Sequence, residues 1–165
     1  MCEEHGQSVR RRKMLSSMLL LPTLSFIGGQ HRSAQAAAGA QTIAQPDDQE
    51  PASYIKRAVE LANISVQNGD GTAYGAVVVK SGRIIGEGRN RTILLNDPTA
   101  HSEIDAIRDA CSRTGSNLLT GCEIYCSARP CPMCSSACYW AKLERIYVGS
   151  VDSEIISIEP VYSNC

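Results

Sequence analysis

Cys131, Cys134 and Cys138 fall within eight residues of S-A-R-P-C-P-M-C-S-S-A-C, Ser127 to Cys138. Disulfide pairing, a redox dithiol and metal ligation all suit such a cluster. Thirty residues upstream of Cys131 stands His101, the first residue of H-S-E. Cysteines three apart share one helical face and can grip one ion. A helix start favours the thiolate, which is the form that binds zinc. A histidine opening a neighbouring helix supplies a third ligand, and three protein ligands leave a fourth position for water. Glu103, two residues from His101, can point into the site without binding metal and move protons there. The expectation is one Zn2+ per chain on His101, Cys131 and Cys134, with Glu103 as the catalytic acid–base.

Two other chemistries compete. A structural zinc needs a fourth protein ligand, and Cys126 or Cys138 could supply it, but Glu103 and Asn90 then have no task. A thiol–disulfide oxidoreductase would use C-P-M-C at a helix start after a strand. That fold needs more sheet after the helix than the remaining residues allow, and it leaves H-S-E unexplained.

The elements that would position these residues follow from periodicity. Ser53 to Asn68 reads as a helix, with Tyr54, Ile55, Ala58, Val59, Ala62 and Val66 on its inner face. Ser53 can cap it and Gly69 can end it. Y-G-A-V-V-V-K and R-I-I-G-E-G flank Ser81-Gly82, a hairpin signal. N-D-P-T, Asn96 to Thr99, leads into a helix that Thr99 can cap and whose inner face is Ile104, Ile107 and Cys111. Cys122 to Cys126 is a short strand. Cys131 to Lys142 is the next helix, with Pro132 in its first turn, where proline is tolerated. Arg145 to Gly149 is another strand. Strands separated by helices predict a three-layer α/β/α domain, with a mixed sheet of about five strands.

H-x-E followed by P-C-x-x-C is the signature of zinc-dependent nucleobase deaminases. Asn90 after the hairpin, N-D-P-T-A-H-S-E-I-D-A-I-R, P-C-P-M-C and Y-W-A occur in order. From about Tyr54 to Gly149 the chain resembles the cytidine deaminase-like superfamily. It looks most like its bacterial guanine deaminases, then its tRNA adenosine deaminases. The resemblance implies hydrolytic deamination of a nucleobase, guanine first, with adenosine or a pyrimidine as alternatives. It implies that Asn90 hydrogen-bonds the base, that backbone N–H groups near Ser102 and Cys131 assist, and that Tyr74 is a stacking platform. Core packing is the alternative for Tyr74. A non-catalytic relative that keeps its zinc is a further reading. Ser102 stands where the family usually has alanine, and Arg129 where glutamate is typical. Family members place an acidic residue and a C-terminal segment over the base. Here 15 residues follow Ser150, room for a strand but hardly a helix. Asp152, Glu154 and Glu159 offer acids that do not align with that role. The pocket is then open, completed by a partner subunit, or degenerate.

The 165-residue chain suits one domain after its N-terminal part. Aromatics make up only 5%, so aliphatic residues must fill the core. Arg10 to Lys13 is basic, Met14 to Gly29 is uncharged, and Ser33 to Ala36 is a small-x-small site. That is the order of a secretory signal peptide over residues 1–36, similar to a twin-arginine signal for export to the periplasm. A membrane anchor, or a true start at Met14 with a cytoplasmic product, are the alternatives. Residues 37–52 read as a linker and 53–165 as the domain. Residues 1–36 hold five of 16 basic and two of 17 acidic residues, which leaves 11 against 15, a net charge of −4. That balance speaks against long nucleic acid and for a small-molecule partner, which the resemblance implies is a nucleobase. No membrane contact is expected of the mature form, and a homodimer is expected by analogy with relatives. In an oxidising compartment some of Cys111, Cys122, Cys126, Cys138 and Cys165 could pair. Cys111, Cys122 and Cys126 also suit a core, and Trp140 reads as packing.

Overall fold

The computed structural model describes residues 42–161. The signal-like residues 1–36 and Cys165 lie outside them. Among the described residues no helix is long and apolar enough to cross a membrane.

The element order is α1 (Pro51–Gln67), β1 (Gly75–Lys80), β2 (Arg83–Arg89), α2 (Ser102–Thr114), β3 (Cys122–Cys126), α3 (Pro132–Trp140), β4 (Arg145–Gly149) and β5 (Ile155–Pro160). The five strands form one sheet in the order β2-β1-β3-β4-β5. β3 and β4 are parallel and joined through α3; the other neighbours are antiparallel. The β1–β2 turn has positive φ at both Ser81 (49°) and Gly82 (74°), the backbone that two-residue hairpins require.

The central strands are buried on both faces, hence the continuous apolar run in β1. Val77, Val79, Tyr125 and Tyr147 face α1, where they pack with Tyr54, Ile55 and Leu61. Tyr125 and Tyr147 stack at 4.3 Å, and the Tyr54 hydroxyl donates to Gly82 O at 2.8 Å. Ala76, Val78, Ile124, Cys126, Ile146 and Val148 face the opposite layer, with Ala106 and Ala110 of α2 and Cys138 of α3. The expected three layers are present.

Several local expectations are corrected. In α1 Pro51 occupies the first turn and Glu50 is the N-cap, in place of Ser53. Val66 is 54% exposed, and Leu61 and Ser65 complete the buried face. The α2 cap is His101, not Thr99, whose hydroxyl donates to Asp97 instead. Ile104, Ile107 and Cys111 are only half-buried, while Ala106 and Ala110 are fully buried. The reason is close packing. A Cβ at Gly86 would lie 2.6 Å from Ala110 Cβ, and one at Gly88 would collide with Ser102 O and Ala106 N. Small residues on both sides let α2 sit directly on β2, so the large side chains move to its flanks. Trp140 is exposed against the edge of the Tyr139 ring.

Part of the expected linker is structural. Gln45 Nε2 donates to Ile84 O at 3.0 Å, and its Oε1 accepts from Ile84 N at 2.8 Å. Asp109 Oδ2 accepts from Glu87 N at 3.0 Å. These side chains occupy the free edge of β2, which would otherwise offer unpaired backbone groups to another strand.

Candidate active site

α2 and α3 both lie on the same face of the sheet, and each opens on a residue of the sequence motif. His101 is the N-cap of α2 and Cys131 the N-cap of α3, both in extended backbone. Cys134, one turn into α3, is fully buried. The three ligand atoms gather within 4.8 Å of one another. His101 Nδ1 is 3.7 Å from Cys131 Sγ and 3.6 Å from Cys134 Sγ, and the two sulfurs are 3.6 Å apart. A tetrahedral zinc with bonds of about 2.3 Å to sulfur and about 2.0 Å to nitrogen has S–S edges of about 3.8 Å and S–N edges of about 3.5 Å. The donor set and its spacing therefore fit one zinc ion with a corner to spare.

Among the described residues no other such group gathers three ligand atoms, so Cys126 and Cys138 do not complete a four-ligand site. Cys111, Cys122, Cys126, Cys131, Cys134 and Cys138 are all free of disulfides. Burial pushes the Cys138 thiol up to about 12, with the Glu103 carboxylate adding to the effect, and burial also raises the Cys126 thiol well above its ordinary value. Burial, then Glu103, also raises Cys134. A bound cation reverses that preference at Cys134, because coordination deprotonates a thiol.

Glu103 is 7% exposed, in the first turn of α2. The Ser102 hydroxyl, itself buried, donates to Glu103 Oε2 at 2.9 Å. Asn90, at the end of β2, is 3% exposed and held on all sides. Its N–H donates to Tyr74 O at 3.0 Å, and its carbonyl accepts from Ser65 Oγ at 2.6 Å. Its Oδ1 accepts from Thr72 N (3.3 Å), Thr92 N (3.2 Å) and Thr92 Oγ1 (2.8 Å). The amide oxygen is thus committed to the loops, and the amide N–H2 is the group left for a ligand. Arg91 pairs with Asp105 of α2, which ties the loop after Asn90 to the helix carrying Glu103.

Tyr74, Asn90, His101, Glu103, Arg129 and Cys131 line one cavity of about 190 Å³. Asn90, His101, Glu103 and Cys131, read from sequence, thus meet in one place, with Cys134 beneath them. Tyr74 is 47% exposed and is a wall of the cavity, not part of the core. The Ser102 side chain serves Glu103, a contact the sequence reading did not include. Arg129 is marked in the sequence only as a departure from the family's glutamate, and the structure places it in the cavity wall. Glu159 is new as well: β5 returns antiparallel to β4 and brings it into an ion pair with Arg129. No sequence signal marks that pairing, because it depends on the register of an edge strand. Asp152 and Glu154 do not line this cavity.

Residues 48–150 match the cytidine and deoxycytidylate deaminase zinc-binding region. The chain belongs to that family. It is 48% identical over 97 residues to the guanine deaminase of Bacillus subtilis (strain 168), covering 59% of this chain and 62% of that protein. It is 34% identical over 110 residues to the tRNA-specific adenosine deaminase of Aquifex aeolicus (strain VF5), covering 67% and 72%. The X-ray structure of the B. subtilis guanine deaminase superposes with a TM-score of 0.57 at 47% identity, over 59% of this chain and 62% of that one. The chain thus spans less than two thirds of the guanine deaminase's length. Zinc is the family's metal, in keeping with the donor set here. β5 and Glu159 lie beyond the family match.

Proposed function

We propose that the chain is a zinc-dependent aminohydrolase that converts guanine and water to xanthine and ammonia. The observation that carries this reading is a single cavity that holds the ligand triad, the buried Glu103 and the fixed Asn90. The 48% identity to a guanine deaminase supports the choice of base. A cavity of about 190 Å³, below the roughly 300–1,000 Å³ of pockets for drug-sized ligands, suits a single nucleobase.

His101, Cys131 and Cys134 hold the metal. Bound there, zinc supplies Lewis acidity and makes water a nucleophile at neutral pH. Asn90 donates its amide hydrogens to an acceptor on the ring, and Tyr74 covers the ring face. Glu103 takes one proton of the attacking water and passes it to the ring nitrogen next to the attacked carbon; it then takes the remaining hydroxyl proton and delivers it to the amine, so that the C–N bond breaks as the new C=O forms. Ser102 holds one carboxylate oxygen still, so the other carries this traffic. The backbone N–H groups of Ser102 and Cys131 stand at the helix starts, where developing negative charge is favoured.

Deamination of adenosine in tRNA is the second reading. It rests on the similarity to the A. aeolicus enzyme, and the small cavity and the acidic balance of residues 37–165 weigh against it. Two further properties stand as proposals. The basic–apolar–small-residue order of residues 10–36 supports export to the periplasm, which cell fractionation checks. Homodimer formation is checked by sedimentation.

The deciding experiment is ammonia release by the zinc-loaded protein from guanine, adenine, adenosine, cytosine and cytidine, with Glu103→Ala as control. Release from guanine, lost in the control while zinc stays bound, is the expected result. Release from another of these substrates, and none from guanine, overturns the choice of base. Release from none of them, with zinc bound, favours a binding protein on this fold.

A further inference from the structure

Arg129 belongs to the cavity wall with Glu103 and Cys131, yet it differs from them in setting. Glu103 is 7% and Cys134 0% exposed, whereas the Arg129 side chain is 65% exposed. The ligand triad and Glu103 therefore form the floor, and Arg129 stands at the mouth. Its guanidinium is held by Glu159 on β5, whose carboxylate also accepts from Ser157 Oγ at 3.0 Å. That ion pair runs through the NH1 group. A guanidinium carries five N–H donors in one plane, so donors remain for a ligand in the cavity.

We propose that Arg129 is a specificity-determining residue that reads the O6/N7 edge of the purine. The proposal rests on the guanine reading above, which places the carbon bearing the amine, C2, on the floor beside Glu103. In a purine the O6/N7 edge lies across the ring from C2, so it faces the mouth. That edge offers two acceptors side by side, and arginine is the side chain whose paired donors match them. A 6-aminopurine in the same pose presents a donor to a donor and is rejected. Glu159 orients the fork, and it comes from a strand outside the family match.

The test uses the full-length, zinc-loaded protein and calorimetric titration with purines that cannot lose an amine from C2. Hypoxanthine has the O6/N7 edge, 7-deazahypoxanthine lacks N7, and unsubstituted purine lacks O6. The wild type is expected to bind hypoxanthine roughly tenfold to hundredfold more tightly than either analogue. Arg129→Met should weaken hypoxanthine by a similar factor and make the three ligands nearly equal. Arg129→Lys keeps the charge but not the fork, and should lose most of the discrimination. Zinc content and melting temperature, unchanged in both variants, show that the fold is intact. Hypoxanthine binding equal in wild type and Arg129→Met overturns the proposal, whether or not guanine is hydrolysed. Intact discrimination without ammonia release from guanine overturns the reaction and leaves the role of Arg129 standing. Failure of the wild type to bind any of the three overturns both.

Discussion

Glu103 and Cys134 sit on helix starts buried against the sheet, while Tyr74 and Arg129 line the same cavity at 47% and 65% exposure. The floor is held by backbone. His101 and Cys131 are helix N-caps, and α2 rests on Gly86 and Gly88 with no side chain between. The mouth is held by side chains, chiefly the Arg129–Glu159 ion pair, and half of that pair lies outside the family match. The difference teaches where change is tolerated. Close backbone packing transmits any displacement straight to the ligand atoms. An exposed ion pair contributes little to stability and can be exchanged to alter selectivity.

The sharpest break in the floor is Glu103→Gln. It should lower kcat by about a thousandfold and leave one zinc per chain by metal analysis. Substantial remaining activity would remove Glu103 from the chemistry. Gly88→Ala should come next. Its Cβ would meet Ser102 O and Ala106 N, so urea unfolding should show a loss of about 2–3 kcal/mol, with activity falling as α2 shifts. A neutral result would mean that α2 is not set by this contact. Asn90→Ala leaves Thr72 N and Thr92 N without their acceptor, at a cost of about 1–3 kcal/mol by the same measurement. Its kcat/KM should drop more than its stability explains.

A fourth prediction concerns the loop that supports Asn90. The Arg89 guanidinium holds the Asp70 carboxyl below its ordinary value near 3.8. A carboxyl with a lowered folded-state value adds stability above the unfolded-state value, and that stability is lost as pH falls through the folded one. The melting temperature should therefore fall below about pH 4, and less steeply in Asp70→Asn. An unchanged slope would deny the pair a part in holding the loop. The smallest effect belongs to the mouth. Glu159→Gln should change unfolding free energy by no more than about 0.5 kcal/mol, while it weakens hypoxanthine binding by freeing Arg129. A large stability loss would make the pair structural, and the contrast between floor and mouth would fail.

The gathering of His101, Cys131 and Cys134 beside Glu103 and the order of elements through β4 were legible in the sequence. Motif residues at helix starts follow local rules: proline in the first turn, cysteines one turn apart, glycine in the hairpin. Strand β3 and strand β4 came out with their observed ends because short runs of β-branched and aromatic residues, Ile124-Tyr125 and Ile146-Tyr147-Val148, lie there between turn signals. The inner face of α2 did not, since Ile104, Ile107 and Cys111 outrank Ala106 and Ala110 in hydrophobicity, and only the glycines of another element reveal that α2 needs a small face. Ser102 reads from sequence only as a departure from the family's alanine, and the structure puts its hydroxyl on Glu103. Arg129 and Glu159 are 30 residues apart in sequence, and no periodicity joins them. Local chemistry in the sequence therefore determined which residues could ligate and where the chain turns, whereas the helix caps fell on Glu50 and His101 and not on Ser53 and Thr99. The tertiary structure decided which side chains meet across elements, because that depends on the register of β5 and the height of α2 above the sheet.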